Sequence, residues 1–213
     1  HFRGFSLEGL GRSLTMRWKD WLSGILLATV LYAVGFGISL WAGAVEIAGV
    51  AFNPSSLLIS LVFFLLVAVT EELALRGFVL ERLLQSGVNK FCALFLSAAL
   101  FSLIHIGNPN FDFLSFINIL LAGILLGSSY IYTRNLCFPI ALHWFWNWIQ
   151  GPVLGYEVSG NKFCNGLLAL RLPEANLINV GAFGFEGSIL CTVLMVVGTG
   201  LILKIHGKRV ISG

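Results

Sequence analysis

Long apolar stretches separated by short polar connections make up most of the chain. Six of these stretches approach or exceed the roughly 20 residues that a helix needs to cross a bilayer core of about 30 Å. They are predicted at Trp21–Trp41, Ser55–Gln85, Phe91–Ile106, Phe113–Thr133, Pro139–Leu154 and Gly187–Ile205. The pattern therefore predicts an all-α polytopic membrane protein with about six transmembrane helices.

Local signals refine this picture. Trp21 and Trp41 stand at the two ends of the first segment, as expected for anchors at the membrane interfaces. Gly123 and Gly127 in the fourth segment form a small-xxx-small face, which favours close packing against another helix. The polar, glycine-rich stretch 155–186 is predicted to be an external loop with partial helical or re-entrant character.

Composition excludes several classes of protein. With 57% hydrophobic residues, 11% charged residues and a mean hydropathy of +0.90, the chain is too apolar for an ordinary soluble domain. The four cysteines are scattered, so neither a disulfide framework nor a cysteine metal site is indicated. No basic patch interleaved with aromatic residues suggests a nucleic-acid partner. The partner predicted for the surface is the lipid bilayer.

The distribution of charge suggests how the chain is organised in the membrane. Residues 1–20 mix apolar and basic side chains and are expected to form a juxtamembrane amphipathic segment, with 21–213 a single transmembrane domain. Lys and Arg concentrate before the first segment and after the second, fourth and sixth segments. Both termini are therefore predicted to be cytoplasmic. Because the first residue is His1 rather than Met, the sequence leaves open a missing beginning.

One charged cluster stands inside the second segment. Glu71, Glu72 and Arg76 follow residues 57–69, of which only Ser60 is polar. Ionisable groups at membrane depth are costly, so such a cluster is by default a functional-site hypothesis. Glu72 and Arg76, four residues apart, share a helix face and can form a structural ion pair. Glu71 points about 100° away and is left to meet a group on another helix.

Counting residues from the turns identifies candidates for that group. Glu71 lies seventeen residues before Val88, the centre of the turn between the second and third segments, and His105 lies seventeen after it, so they should sit at one height. His143 is close to the same level, and Asn147 shares its face four residues later. A lone intramembrane histidine is as often a packing residue, but this convergence favours a site buried between the second, third and fifth helices.

Three short motifs then carry a resemblance. Glu71 to Arg76 fits EExxxR, Phe101 to His105 fits FxxxH, and His143 to Asn147 fits HxxxN, in that order. Together they resemble the CAAX protease and bacteriocin-processing (CPBP) family of intramembrane proteases. The family core would cover about Ser55 to Leu203, and the segment 183–187 resembles one common in bacterial members, which implies a bacterial plasma membrane protein.

The resemblance implies an intramembrane endopeptidase acting on a membrane-associated peptide or protein. It implies a catalytic set of Glu71, Glu72, His105, His143 and Asn147, with structural support from Arg76 and Phe101. In that set Glu71 is the base, His105 helps to hold the water, and His143 and Asn147 donate to the oxyanion. The motifs fix neither the natural substrate nor the cleavage site.

Other interpretations of the same residues stay open. Glu71, His105 and His143 could bind Zn²⁺ with water in the fourth position, although no HExxH motif is present. A metal-free glutamate mechanism is the alternative, and it needs no cofactor. A proton-coupled transporter would also place Glu and His near the midplane, but the chain shows no internal repeat. A non-catalytic membrane scaffold that retains the fold is the third possibility.

Overall fold

The computed structural model of the protein describes residues 17–173 and 181–210. Its helices are α1 (Trp18–Trp41), α2 (Pro54–Gln85), α3 (Lys90–Ile104), α4 (Phe113–Thr133), α5 (Cys137–Trp148) and α6 (Ile189–Val210). The predicted all-α class and the order of the six segments are thus confirmed. Most of the expected juxtamembrane segment 1–20 lies outside the described residues.

The lengths of the helices differ from six full spans. In the described part of the chain, α1, α2 and α4 are long and apolar enough to cross a membrane. The apolar helix α3 and the apolar part of α6, Ile189–Lys204, are shorter than eighteen residues. Large apolar side chains remain exposed along α1, α2, α3 and α6, which is expected of surfaces that face lipid. The protein is an integral membrane protein.

A small sheet, which the sequence analysis did not predict, lies outside the helices. Strand β1 (Glu46–Val50) pairs antiparallel with β2 (Leu168–Arg171), and Arg171 forms an ion pair with Glu46 across the two strands. The expected partial helix in 155–186 is limited, among the described residues, to the 3₁₀ turns Gly181–Phe183 and Phe185–Gly187. The prediction missed the sheet because its two short strands are far apart in sequence.

The predicted small-residue face on α4 is confirmed as a packing surface. A Cβ atom on Gly123 would stand 2.8 Å from Ala98 Cα on α3, and one on Gly127 would stand 2.5 Å from Leu94 Cδ1. Only glycine therefore allows α3 and α4 to approach so closely. This approach places α3, which ends one residue before His105, next to α4.

Helix α2 is not regular throughout. After Glu72 it continues as a π-helical segment, Leu73–Leu80, before a last α-helical turn at Glu81–Gln85. Helix α5 likewise runs into a π-helical turn, Ile149–Val153, which contains Pro152 and so cannot keep a regular hydrogen-bond ladder. Such wide turns occur often at functional sites. Here the first one contains Arg76.

Two tryptophans fasten α5 to α2. Trp144 Nε1 donates to the main-chain carbonyl of Leu61 at 2.8 Å, and Trp148 Nε1 donates to that of Leu57 at 3.2 Å. Both indoles are partly buried between the helices. These bonds fix the height of α5 against α2, and hence the position of the histidine on α5 relative to the glutamates on α2.

Candidate active site

A cavity of about 320 Å³ lies between α2, α3 and α5, where the sequence predicted the site, and α4, α6 and the loop after α5 complete its walls. Its lining is mostly apolar and aromatic. The predicted side chains that reach it are Glu71, Phe101, His105, His143 and Asn147. The cavity is large enough for several water molecules or a short piece of peptide.

Glu72 and Arg76 lie beside this cavity rather than in it. Both side chains are 0% exposed, and Arg76 Nη1 donates to Glu72 Oε1 at 2.7 Å. The same oxygen accepts from His143 Nδ1 at 2.9 Å, while Arg76 Nη2 donates to the carbonyl of Gly123 at 3.2 Å. Spacing alone predicted the ion pair but not the contact with His143. Glu72 therefore links α2 to α5, and Arg76 links α2 to α4.

Phe101 supports two of these groups at once. The guanidinium carbon of Arg76 stands 4.6 Å from the centre of its ring, within the range of a cation–π contact. Its main-chain carbonyl accepts from His105 Nδ1 at 2.7 Å. The FxxxH spacing thus places the aromatic ring under the buried arginine and orients the histidine that ends α3.

Glu71 differs from Glu72 in its exposure and in its place on the cavity wall. Its side chain is 29% exposed and lines the cavity, and its buried Oε2 has no hydrogen-bond partner among the described residues. Oε2 is 3.8 Å from His143 Nε2, too far for a direct hydrogen bond.

The hydrogen bonds also assign protons to the two rings. A carbonyl oxygen only accepts, so His105 must carry a proton on Nδ1, and a neutral ring then leaves Nε2 as an acceptor. His143 donates from Nδ1 to the Glu72 carboxylate and directs Nε2 towards Glu71. Each histidine therefore uses one nitrogen to fix its orientation. The other nitrogen is left for a group in the cavity.

Asn147 lies one turn after His143 on α5 and is buried in the cavity wall. Its amide offers N–H donors without carrying a charge. Glu71, with its carboxylate, and Asn147, with neutral donors, therefore line the same cavity. Such a combination suits a reaction in which a base works on one side of a carbonyl and donors stabilise negative charge on the other.

Comparison with known families places the three motifs in one matched region. The family model described as type II CAAX prenyl endopeptidase Rce1-like matches residues 52–149. This region belongs to the CAAX endopeptidase family. It contains all three motifs and the four helices α2 to α5 that surround the site. Neither a curated protein nor a solved structure matched the chain.

A further carboxylate lines the cavity outside the region that matches the CAAX endopeptidase family. Glu186, between the loop and α6, is buried and accepts from Trp146 Nε1 at 3.1 Å and from Gln150 Nε2 at 3.3 Å. The main-chain N–H and the hydroxyl of Ser159 also donate to it, each at 2.9 Å. Sequence reasoning noted segment 183–187 but gave Glu186 no role. The signal available in the sequence was a charged residue directly before an apolar helix.

The residues proposed for zinc do not form a ligand set in this geometry. Across the described residues, no three or more His, Cys, Asp and Glu side chains are grouped closely enough to hold a metal ion. Glu71, His105 and His143 all line the cavity, and Glu71 Oε2 lies 3.8 Å from His143 Nε2.

Proposed function

We propose that the chain is an intramembrane endopeptidase of the CAAX-protease type, in which Glu71 activates the water that hydrolyses the peptide bond. The observation that carries this proposal is the contrast between the two glutamates. Glu72 is fully buried outside the cavity and one of its oxygens accepts from Arg76 and His143, whereas the Glu71 side chain is 29% exposed and lines the cavity. Of the two carboxylates, that of Glu71 is therefore the one placed to take a proton from water.

The reaction begins with water held by Glu71 and by Nε2 of His105. Glu71 takes one proton as the water oxygen attacks the carbonyl carbon of the substrate. Holding the water next to its base removes the need to bring the two together at each turnover. The product of this step is a tetrahedral oxyanion and a protonated Glu71.

The oxyanion is stabilised from α5. Asn147 donates an amide N–H, and His143 donates from Nε2 when its ring carries both protons. Glu72, on the other nitrogen of His143, supplies the countercharge for that state, as the buried carboxylate does in a serine-protease triad. The C–N bond then breaks, Glu71 returns its proton to the leaving amine, and the new carboxyl group remains on the other fragment.

We also propose that residues 21–213 form one transmembrane domain with both termini cytoplasmic, in a bacterial plasma membrane. The distribution of Lys and Arg supports the orientation. In the described part of the chain, five of the six helices, α2 to α6, line one cavity with chemistry on several of its walls, which supports a single domain.

Turnover by purified protein in proteoliposomes would test the proposal, with a library of quenched fluorogenic peptides as substrate. Wild-type protein should cleave at least one peptide, and Glu71→Gln should lower that rate at least about 10²-fold, as expected for the loss of a general base. Glu46→Gln, which removes an exposed ion pair of the small sheet, is the matched control and should cleave normally. Equal cleavage by wild type and Glu71→Gln would refute the assignment.

A further inference from the structure

A second groove, of about 450 Å³, lies on the β-sheet side of the active cavity. It runs along the first turns of α2 and against the loop after α5. The groove is lined by Asn53, Ser55, Ser56, Ile59, Ser60, Phe63, Phe163 and Cys164. Phe63 and Phe163 line the active cavity as well, so these two rings form the boundary between the two spaces.

One face of α2 connects the groove to the base. Ser56, Ser60, Phe63, Val67 and Glu71 follow each other at three- or four-residue intervals, the spacing of residues that share a helix face. At 1.5 Å per residue, Phe63 is about 12 Å from Glu71 along the axis, and Ser56 is about 10 Å beyond Phe63. An extended peptide rises about 3.3 Å per residue, so these distances correspond to about four and three residues.

The loop that covers the cavity is held by hydrogen bonds on both sides of Phe163, since Leu167 N–H donates to the carbonyl of Pro152 and the carbonyl of Leu167 accepts from Ala51 N–H. Ser159 donates twice to Glu186, its carbonyl accepts from Asn108, and Gly160 N–H donates to the carbonyl of Phe183. Four residues further on, Phe163 contacts α2 through its ring, whose centre is 5.3 Å from that of Phe63 and 5.4 Å from that of Phe64. Phe163 is 51% exposed. Between these two anchored stretches, the Phe163 ring separates the cavity from the groove through its contacts with α2.

The surroundings of the groove suit a peptide that arrives from the bilayer. Ile59 is 71% exposed on the apolar, lipid-facing surface of α2, and the groove beside it has a mostly apolar lining with a few polar groups at the first turns of α2. Apolar side chains of a peptide that arrives from the bilayer can therefore stay in apolar surroundings as the peptide enters the groove.

We propose that this second groove binds the substrate polypeptide on one side of the scissile bond, with Phe63 and Phe163 gripping it about four residues from the bond. The occupant is the extended segment of a membrane-associated peptide or protein. This inference rests on the proposed endopeptidase function. It assigns substrate selection to residues outside the three motifs, since neither Phe63 nor Phe163 belongs to a motif.

Substrate length provides the first test. The first library peptide that wild type cleaves is shortened one residue at a time from each end, and kcat/KM is measured for each version. On one side of the scissile bond, kcat/KM should fall as the peptide is shortened from about seven residues to three. Shortening the other side should not have this effect. Phe163→Ala should lower kcat/KM for the long peptide about 2- to 12-fold more than for the shortest peptide, the equivalent of one aromatic contact.

The controls separate the two proposals. Phe52→Ala removes an exposed ring near the same end of α2 that lines neither space, and it should cleave every length as wild type does. If Phe163→Ala fails to fold, Phe163→Leu replaces it. Two results would refute substrate binding in the groove but not the endopeptidase function. One is Glu71-dependent cleavage at a rate that does not change with peptide length, and the other is a loss with Phe163→Ala that is equal for all lengths. No Glu71-dependent cleavage of any peptide would overturn both.

Protection of Cys164 gives a readout that does not require turnover. Burial raises the pKa of the Cys164 thiol, so a maleimide is applied in alkaline buffer to Glu71→Gln protein that also carries Cys92→Ser. The remaining cysteines, Cys137 and Cys191, are buried. The full-length peptide should slow labelling of Cys164, and the version cut to three residues on the groove side should not. Equal labelling with both versions would contradict occupancy of the groove.

Discussion

The different roles of the adjacent glutamates can be separated by the same substitution at each position. Glu72→Gln replaces a fully buried carboxylate that accepts from Arg76 at 2.7 Å and from His143 at 2.9 Å. Removing one partner of a buried ion pair costs about 3–5 kcal/mol, because the other charge is left uncompensated. For a domain of this size that corresponds to a fall in Tm of about 6–20 °C.

Glu71→Gln should behave in the opposite way. The Glu71 side chain is 29% exposed, and its buried oxygen has no hydrogen-bond partner within the described ranges, so little stabilisation is lost with its charge. Turnover should fall by about 10²–10⁴-fold, the range expected for a missing general base. The expected pattern is thus a stable, inactive Glu71→Gln protein and an unstable Glu72→Gln protein.

Both quantities can be measured on the same purified samples, with thermal unfolding in detergent for stability and the fluorogenic peptide assay for turnover. Arg76→Gln and the double variant Glu72→Gln/Arg76→Gln complete a cycle, and the double variant should be less unstable than the sum of the two single effects. If Glu71→Gln unfolded at a lower temperature than Glu72→Gln, or if the two losses were additive, the assignment of roles would be refuted.

Three further outcomes are expected. Asn147→Ala should lower turnover by about 10²–10³-fold, as for the loss of one oxyanion donor, with Tm near that of wild type; an unchanged rate would remove it from the site. Glu186→Gln weakens charge-assisted bonds worth about 1.5–3 kcal/mol each, so hydrogen exchange at the Ser159 amide should accelerate; unchanged exchange would contradict its role in holding the loop. A membrane-permeant chelator should leave turnover unchanged, whereas stoichiometric zinc that disappears together with activity in His105→Ala and His143→Ala would make Glu71 a ligand.

Much of the architecture could be predicted because the bilayer imposes it. The apolar stretches had to be helices of roughly the span length, and the structure places all six close to the predicted bounds. Local periodicity likewise linked Glu72 to Arg76, because residues four apart on a helix share a face whatever surrounds it. The close approach at Gly123 followed for the same reason, since a missing side chain permits contact regardless of the partner.

Contacts between distant parts of the chain could not be predicted from local sequence patterns. The rotation of a helix about its axis depends on packing with its neighbours, so the bond from His143 to Glu72 was not foreseen although both residues had been singled out. The pairing of Glu46 with Arg171 joins residues 125 apart, and nothing local specifies that register. The role of Glu186 depends in the same way on donors from two other segments.

The buried ion pair is arranged less for stability than for the orientation of the site. Arg76 Nε and Glu72 Oε2 are both buried without a hydrogen-bond partner in the described part of the chain, so the pair leaves polar atoms unsatisfied. Well-packed apolar residues often replace such a pair without loss of stability. Apolar residues could not accept the hydrogen bond from Nδ1–H of His143, which directs Nε2 of that ring into the cavity. The energetic cost of burying Glu72 and Arg76 is therefore best explained by the position that they give to a histidine on another helix.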